Sequence, residues 1–77
     1  MLNLPRPSGK ELVGFLQRIG FRVIRIRGSH HLLERDDAQT SVPVHGNETV
    51  KIGTLRAILR DIGLSPTEFE AEWNQTR

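Results

Sequence analysis

The 77-residue chain contains no cysteine. Disulfide staples and thiolate metal sites are therefore excluded, and the absence fits a reducing cytoplasm. No stretch approaches the ~20 consecutive apolar residues that crossing a bilayer requires, so no membrane association is expected. Residues 1–7 hold two prolines and no apolar run, and read as a flexible lead-in rather than a secretory signal. No internal repeat and no low-complexity tract is present. The chain is short enough to bury only ~60% of the surface its unfolded form exposes. One domain over residues 1–77, with a single layer of helices on one sheet, is the realistic limit.

Net charge is only +2, but its distribution is uneven. Residues 1–35 hold seven basic groups against two acidic ones, and residues 36–77 hold four against seven. A surface polarised in this way can steer a polyanion toward one side. The same counts also describe ordinary solvated charge.

Local patterns give the order of elements. Ser8-Gly9-Lys10-Glu11 has the form of a capping box, followed by Leu12, Val13, Phe15, Leu16 and Ile19 at helical spacing, with Gly20 as the stop. Residues 21–27 are rich in Val, Ile and Phe and read as a strand. Gly28-Ser29 is a two-residue turn with glycine first, as a type II′ turn prefers, and residues 30–35 form the returning strand. Residues 36–39 turn the chain again, and a third strand is predicted over residues 40–45, at a sheet edge because Pro43 has no N–H to donate. A second helix begins near Ile52 or Gly53, carries Ile52, Leu55, Ile58, Leu59 and Ile62 as its apolar stripe, and ends at Gly63. Ser65-Pro66-Thr67-Glu68 is a second capping box, opening a short helix with Phe69 and Trp73 on one side. The expected architecture is α+β: α-β-β-β-α with a three-stranded antiparallel sheet, helices on one face, and a short C-terminal helix.

The hairpin separates the two adjacent histidines. With Gly28 and Ser29 as the whole loop, Arg27 faces His30, Ile26 faces His31, Arg25 faces Leu32 and Ile24 faces Leu33. Alternation then gathers Arg22, Ile24, Ile26, His31, Leu33 and Arg35 on one face, the more apolar, where the helices are expected. His31 is thereby a partly buried structural residue, and His30 is exposed beside Arg25 and Arg27. A one-residue slip would exchange the two histidines.

This geometry discriminates among chemistries. A metal site needs convergent ligands, and His30 and His31 point to opposite faces, so no metal site is expected. A hydrolytic triad lacks a buried Asp to orient the ring, and adjacency in sequence does not set the Ser29 hydroxyl against the His30 imidazole. RNA cleavage asks for less, because the substrate brings its own nucleophile, the 2′-OH. It needs an imidazole, which titrates at ~6.5 in model peptides, and cations that hold the phosphate and stabilise developing charge. His30 with Arg25 and Arg27 meets that need, and the two cations would favour its neutral, basic form. The alternatives are a non-catalytic RNA-binding module and a protein-interaction domain, and an exposed histidine beside a glycine turn is by itself only a strand residue.

The residues also carry a resemblance. Gly20-Phe21, the run from Arg27 through Gly28, Ser29 and His30 to His31, Val42-Pro43-Val44-His45-Gly46, Ile52-Gly53-Thr54-Leu55-Arg56, Ile58-Leu59-Arg60 and Gly63-Leu64-Ser65 in combination resemble the HicA toxin family of bacterial and archaeal toxin–antitoxin systems, from about Ser8 to Trp73. The resemblance implies a fold like the double-stranded-RNA-binding domain. It implies an mRNA interferase, an endoribonuclease working without metal or cofactor, with His30 as the essential histidine and the Gly28–Ser29 turn supporting it. It implies RNA as substrate, a HicB-type antitoxin as protein partner, a monomeric free form and a cytoplasmic location. Ser29, His31 and His45 receive no individual role from it; His45 reads as a strand-end residue that can also bind RNA or act as a second acid–base group. Lys51, Arg56 and Arg60 are candidate phosphate contacts or simply a solvated helix face. The acidic last helix, with Glu68, Glu70 and Glu72, departs from an RNA-binding pattern, which puts RNA on the strand and first-helix side or leaves that helix to the antitoxin.

Overall fold

A computed structural model describes residues 4–76 and shows the expected order α-β-β-β-α with one added helix. Helix α1 spans Gly9–Arg18, strands β1, β2 and β3 span Arg22–Arg27, His30–Arg35 and Ala38–Pro43, and helices α2 and α3 span Ile52–Ile62 and Pro66–Thr76. The strands form one antiparallel sheet in the order β1-β2-β3, so β3, with Pro43, lies at an edge. The first three residues of the lead-in expected over residues 1–7 lie outside the described residues. Further along, Pro7 is buried and its carbonyl accepts a 2.9 Å hydrogen bond from the Val50 N–H.

Both capping boxes form. The Glu11 N–H donates to Ser8 Oγ at 3.1 Å while the Ser8 N–H donates to the Glu11 carboxylate at 2.9 Å. The same pair of bonds joins Ser65 and Glu68, at 3.1 and 2.8 Å. Helix α1 ends where Gly20, at φ +102°, lets the Phe21 N–H reach back to the Leu16 carbonyl at 2.9 Å.

The core lies between the sheet and the helices. Leu12, Phe15 and Leu16 of α1, Leu55, Ile58 and Leu59 of α2, Leu33 of β2, Val42 of β3 and Phe69 of α3 are all buried. Phe15 meets Phe69 edge to face at 5.1 Å between ring centroids and Trp73 at 5.6 Å, which docks α3 onto α1. Ile52, expected on the apolar stripe of the second helix, is its first residue and is 39% exposed, while Leu55, Ile58, Leu59 and Ile62 are buried.

Two further expectations are corrected. In the hairpin, Arg27↔His30, Ile26↔His31 and Arg25↔Leu32 pair as the turn dictates, but Leu33 pairs with Val23 and not with Ile24. A β-bulge at Ile24 inserts one residue and reverses the alternation beyond it. Phe21 and Val23 therefore turn to the helices, while Ile24 and Ile26 remain 42% and 61% exposed on the edge strand. The third strand begins at Ala38, not Thr40, and stops at Pro43, leaving His45 outside it. Asp36 takes the left-handed conformation at φ +51°, so two residues suffice where four were expected to turn.

Candidate active site

The side of the sheet away from the helices is open, and His30 stands on it. Gly28 adopts φ +57° at the first turn position and Ser29 does not share a positive φ, the sign pattern of a type II′ turn. This turn fixes the register that sends His30 outward with Arg25, Arg27 and Leu32 and turns His31 inward, half-buried, with Nδ1 lacking a hydrogen-bond partner. On the neighbouring strand, Thr40 and Val42 face the helices and are buried, so Ser41 and Pro43 share the open face with His30.

Two clefts meet at His30. The smaller, about 280 Å³, is walled by Arg25, Arg27, Leu32 and Ser41. The larger, about 600 Å³, lies between the end of β3 and the start of α2, and its walls include Ser41, His45, Glu48, Lys51 and Thr54. His30 and Ser41 belong to both. The sequence reading singled out neither Ser41 nor Thr54. Ser41 could have been placed from the alternation of buried Thr40 and Val42 around it; Thr54 carries no such signal, because only the packing of α2 against β3 brings it to the cleft.

His45 reaches the larger cleft from beyond the strand. The Val44 N–H donates to the Ser29 carbonyl at 2.7 Å, extending the ladder by one rung past Pro43. The Ser29 hydroxyl then shares a 3.4 Å hydrogen bond with His45 Nε2, the direction of which depends on the ring's tautomer. Ser29 thus does meet an imidazole, but that of His45 and not that of its neighbour His30. From the other side, Gly9 packs against the same segment so tightly that a Cβ there would lie 2.1 Å from the Pro43 carbonyl oxygen and 2.9 Å from Val44 Cα. The sequence reading took Gly9 only as part of a capping box.

The larger cleft sets one cation, Lys51, and the start of α2 against one carboxylate, Glu48. Lys51 precedes α2 and gives it no side-chain cap, and the first turn of that helix holds no acidic residue. No side chain of the cap or of the first turn offsets the positive end of the helix and its early N–H groups, which leaves Glu48 as the carboxylate sharing the cleft with them. Helices α1 and α3, by contrast, are closed by Glu11 and Glu68. The capping hydrogen bonds from Ser65 hold the Glu68 carboxyl below its ordinary value. Arg56 is exposed but lines neither cleft, and no residue of α1 lines them. Among the described residues, no three His, Cys, Asp or Glu side chains come together in a way that could hold a metal ion.

The profile of a family described as "HicA toxin of bacterial toxin-antitoxin" matches residues 9–64, from the first residue of α1 through the end of α2. The chain belongs to the HicA toxin family. It is therefore of the kind that forms the toxin half of a bacterial toxin–antitoxin system, with an antitoxin as partner. Both clefts lie within the matched residues, and α3 lies outside them. No curated protein matches the chain. Among the described residues of this HicA family member, no helix is long and apolar enough to cross a membrane.

Proposed function

We propose that this toxin is an endoribonuclease that cleaves mRNA in the cytoplasm without a metal or cofactor, with His30 as an acid–base group at the scissile phosphate. The observation that carries this reading is the position of His30 where the two clefts join, with Arg25 and Arg27 along one and Lys51 in the other. A ribose-phosphate chain lying across that junction would present its 2′-OH and phosphate to the imidazole while the cations hold the flanking phosphates. Gly28 sets the turn that aims His30, and Ser29 belongs to the same turn. Arg56, outside both clefts, is at most a peripheral RNA contact. In the resting cell the toxin is held by a HicB-type antitoxin covering this face, and freed from it acts as a monomer.

The test is incubation of a defined RNA with the purified toxin and its His30→Ala variant in EDTA. The wild type cleaves; the variant keeps its fold and its RNA affinity and cuts slower by ~10²–10⁴-fold, the usual worth of a positioned acid–base group. RNA that is bound but left intact by the wild type would reduce the protein to an RNA-binding module. Full cleavage and full toxicity in His30→Ala would remove His30 from the chemistry.

A further inference from the structure

One imidazole cannot at once take a proton from the 2′-OH and give one to the leaving oxygen. We propose that His45 is the second acid–base group, so that His30 and His45 divide the two proton transfers of RNA cleavage between them. The proposal rests on the endoribonuclease reading above and adds a residue to it. Its basis is that both imidazoles wall the same cleft of about 600 Å³, His30 from the start of β2 and His45 from beyond the end of β3, with Lys51 and the start of α2 beside them.

The ring of His45 is also held for such a task. Its segment is pinned from one side by the hydrogen bond from the Val44 N–H to the Ser29 carbonyl, and from the other by Gly9 against the Pro43 carbonyl. Its Nε2 is engaged by the Ser29 hydroxyl, which leaves Nδ1 as the nitrogen free to work. A hydroxyl can donate or accept, so Ser29 can remain bonded to Nε2 as the ring changes protonation state. Ser29 is thus a positioning residue, acting through His45.

The step balances without any co-reactant. The 2′ oxygen attacks phosphorus, and its proton passes to the neutral imidazole as the O2′–P bond forms. The P–O5′ bond breaks, and the electron pair it leaves on O5′ takes a proton from the other, cationic imidazole. The products are a 2′,3′-cyclic phosphate and a 5′-hydroxyl end, and the two rings have exchanged protonation states, which solvent resets.

The test uses a leaving group that needs no proton. The position cut by the wild type is mapped on a short RNA, and the same RNA is made with sulfur in place of the bridging 5′ oxygen there. On ordinary RNA, His45→Ala and His45→Gln are expected to lose ~10²–10⁴-fold in kcat, with denaturation midpoint and KM unchanged. On the sulfur-bridged RNA, one of the His30→Ala and His45→Ala variants recovers toward the wild-type rate and the other does not, because only the group that protonates the leaving oxygen becomes dispensable. Wild-type rates in the His45 variants, or recovery of both histidine variants or of neither, would overturn the division of labour. Ser29→Ala is expected to follow His45→Ala in its response to sulfur; if it follows His30→Ala, Ser29 does not act through His45. A wild type that cuts no RNA at all would instead sink the endoribonuclease reading, a result distinct from each of these.

Discussion

The two faces of the sheet are built from the same three strands and do opposite work. On the covered face, Phe21, Leu33, Thr40 and Val42 are buried under α1 and α2, and the one polar group among them is satisfied: the Thr40 hydroxyl donates to the Asp61 carboxylate at 3.0 Å. On the open face, Arg25, Arg27, His30 and Ser41 are exposed, and Leu32 is half-buried among them. Away from the bulge at Ile24, alternation along a strand makes this division, since neighbours in a regular strand point to opposite faces. His30 and His31 show its sharpest form, one at a cleft junction and the other turned toward the core. On the proposed function, stability and chemistry are carried by interleaved residues, and substitutions should separate them cleanly.

The largest expected effect is on the covered side. Phe15→Ala removes a fully buried ring from the contacts with Phe69 and Trp73 and should cost ~3–5 kcal/mol, read as a lower midpoint in chemical denaturation. A loss comparable to that of an exposed residue would show that the aromatic group does not dock α3. Gly9→Ala tests a residue that joins the two sides. A first-turn alanine would ordinarily stabilise a helix by up to ~1 kcal/mol over glycine. Here the added Cβ meets backbone of the His45 segment, so a destabilisation of ~1–3 kcal/mol is expected, with slower RNA cleavage; a gain in stability would refute the close approach. On the open face, Arg27→Ala should change stability by no more than ~0.5 kcal/mol. It should lower the slope of log RNA affinity against log salt by ~1, and an unchanged slope would remove Arg27 from phosphate binding.

The smallest effect concerns α3 and pH. Because Glu68 has its folded-state value below the ordinary 4.5, its capping contribution is present above that value and fades as pH falls through the lowered one. Trp73 fluorescence followed on acidification should therefore report a shift between wild type and Glu68→Gln, and superimposable curves would deny the carboxylate any role in holding the helix.

Much of this division was legible in the sequence, and the residues that escaped it share a cause. Capping boxes, glycine stops and the Gly28–Ser29 turn are local, and each signals itself within four residues. That is why all three helices and the facing of His30 were readable. The bulge at Ile24 was not, because Ile24 and Ile26 alternate as if both belonged to the core, and only competition between Phe21, Val23 and Ile24 for the helix layer decides the phase. Two aspartates turned the chain sooner than expected, because Asp36 tolerates a positive φ. At the site, His30, Arg25 and Arg27 followed from alternation on one hairpin. The approach of His45, Lys51 and Thr54 depends on how α2 settles against β3, and no spacing in the chain encodes that distance.

The contact between Gly9 and Pro43 has a consequence for how such a protein can change over generations. The start of α1 and the strand end that leads to His45 occupy adjoining space with no room for one further carbon atom. Any heritable change that gives position 9 a side chain must be answered by a displacement of residues 43–45, and any remodelling of that strand end must respect the helix behind it. The two segments, far apart in the gene, are bound to vary as a single unit.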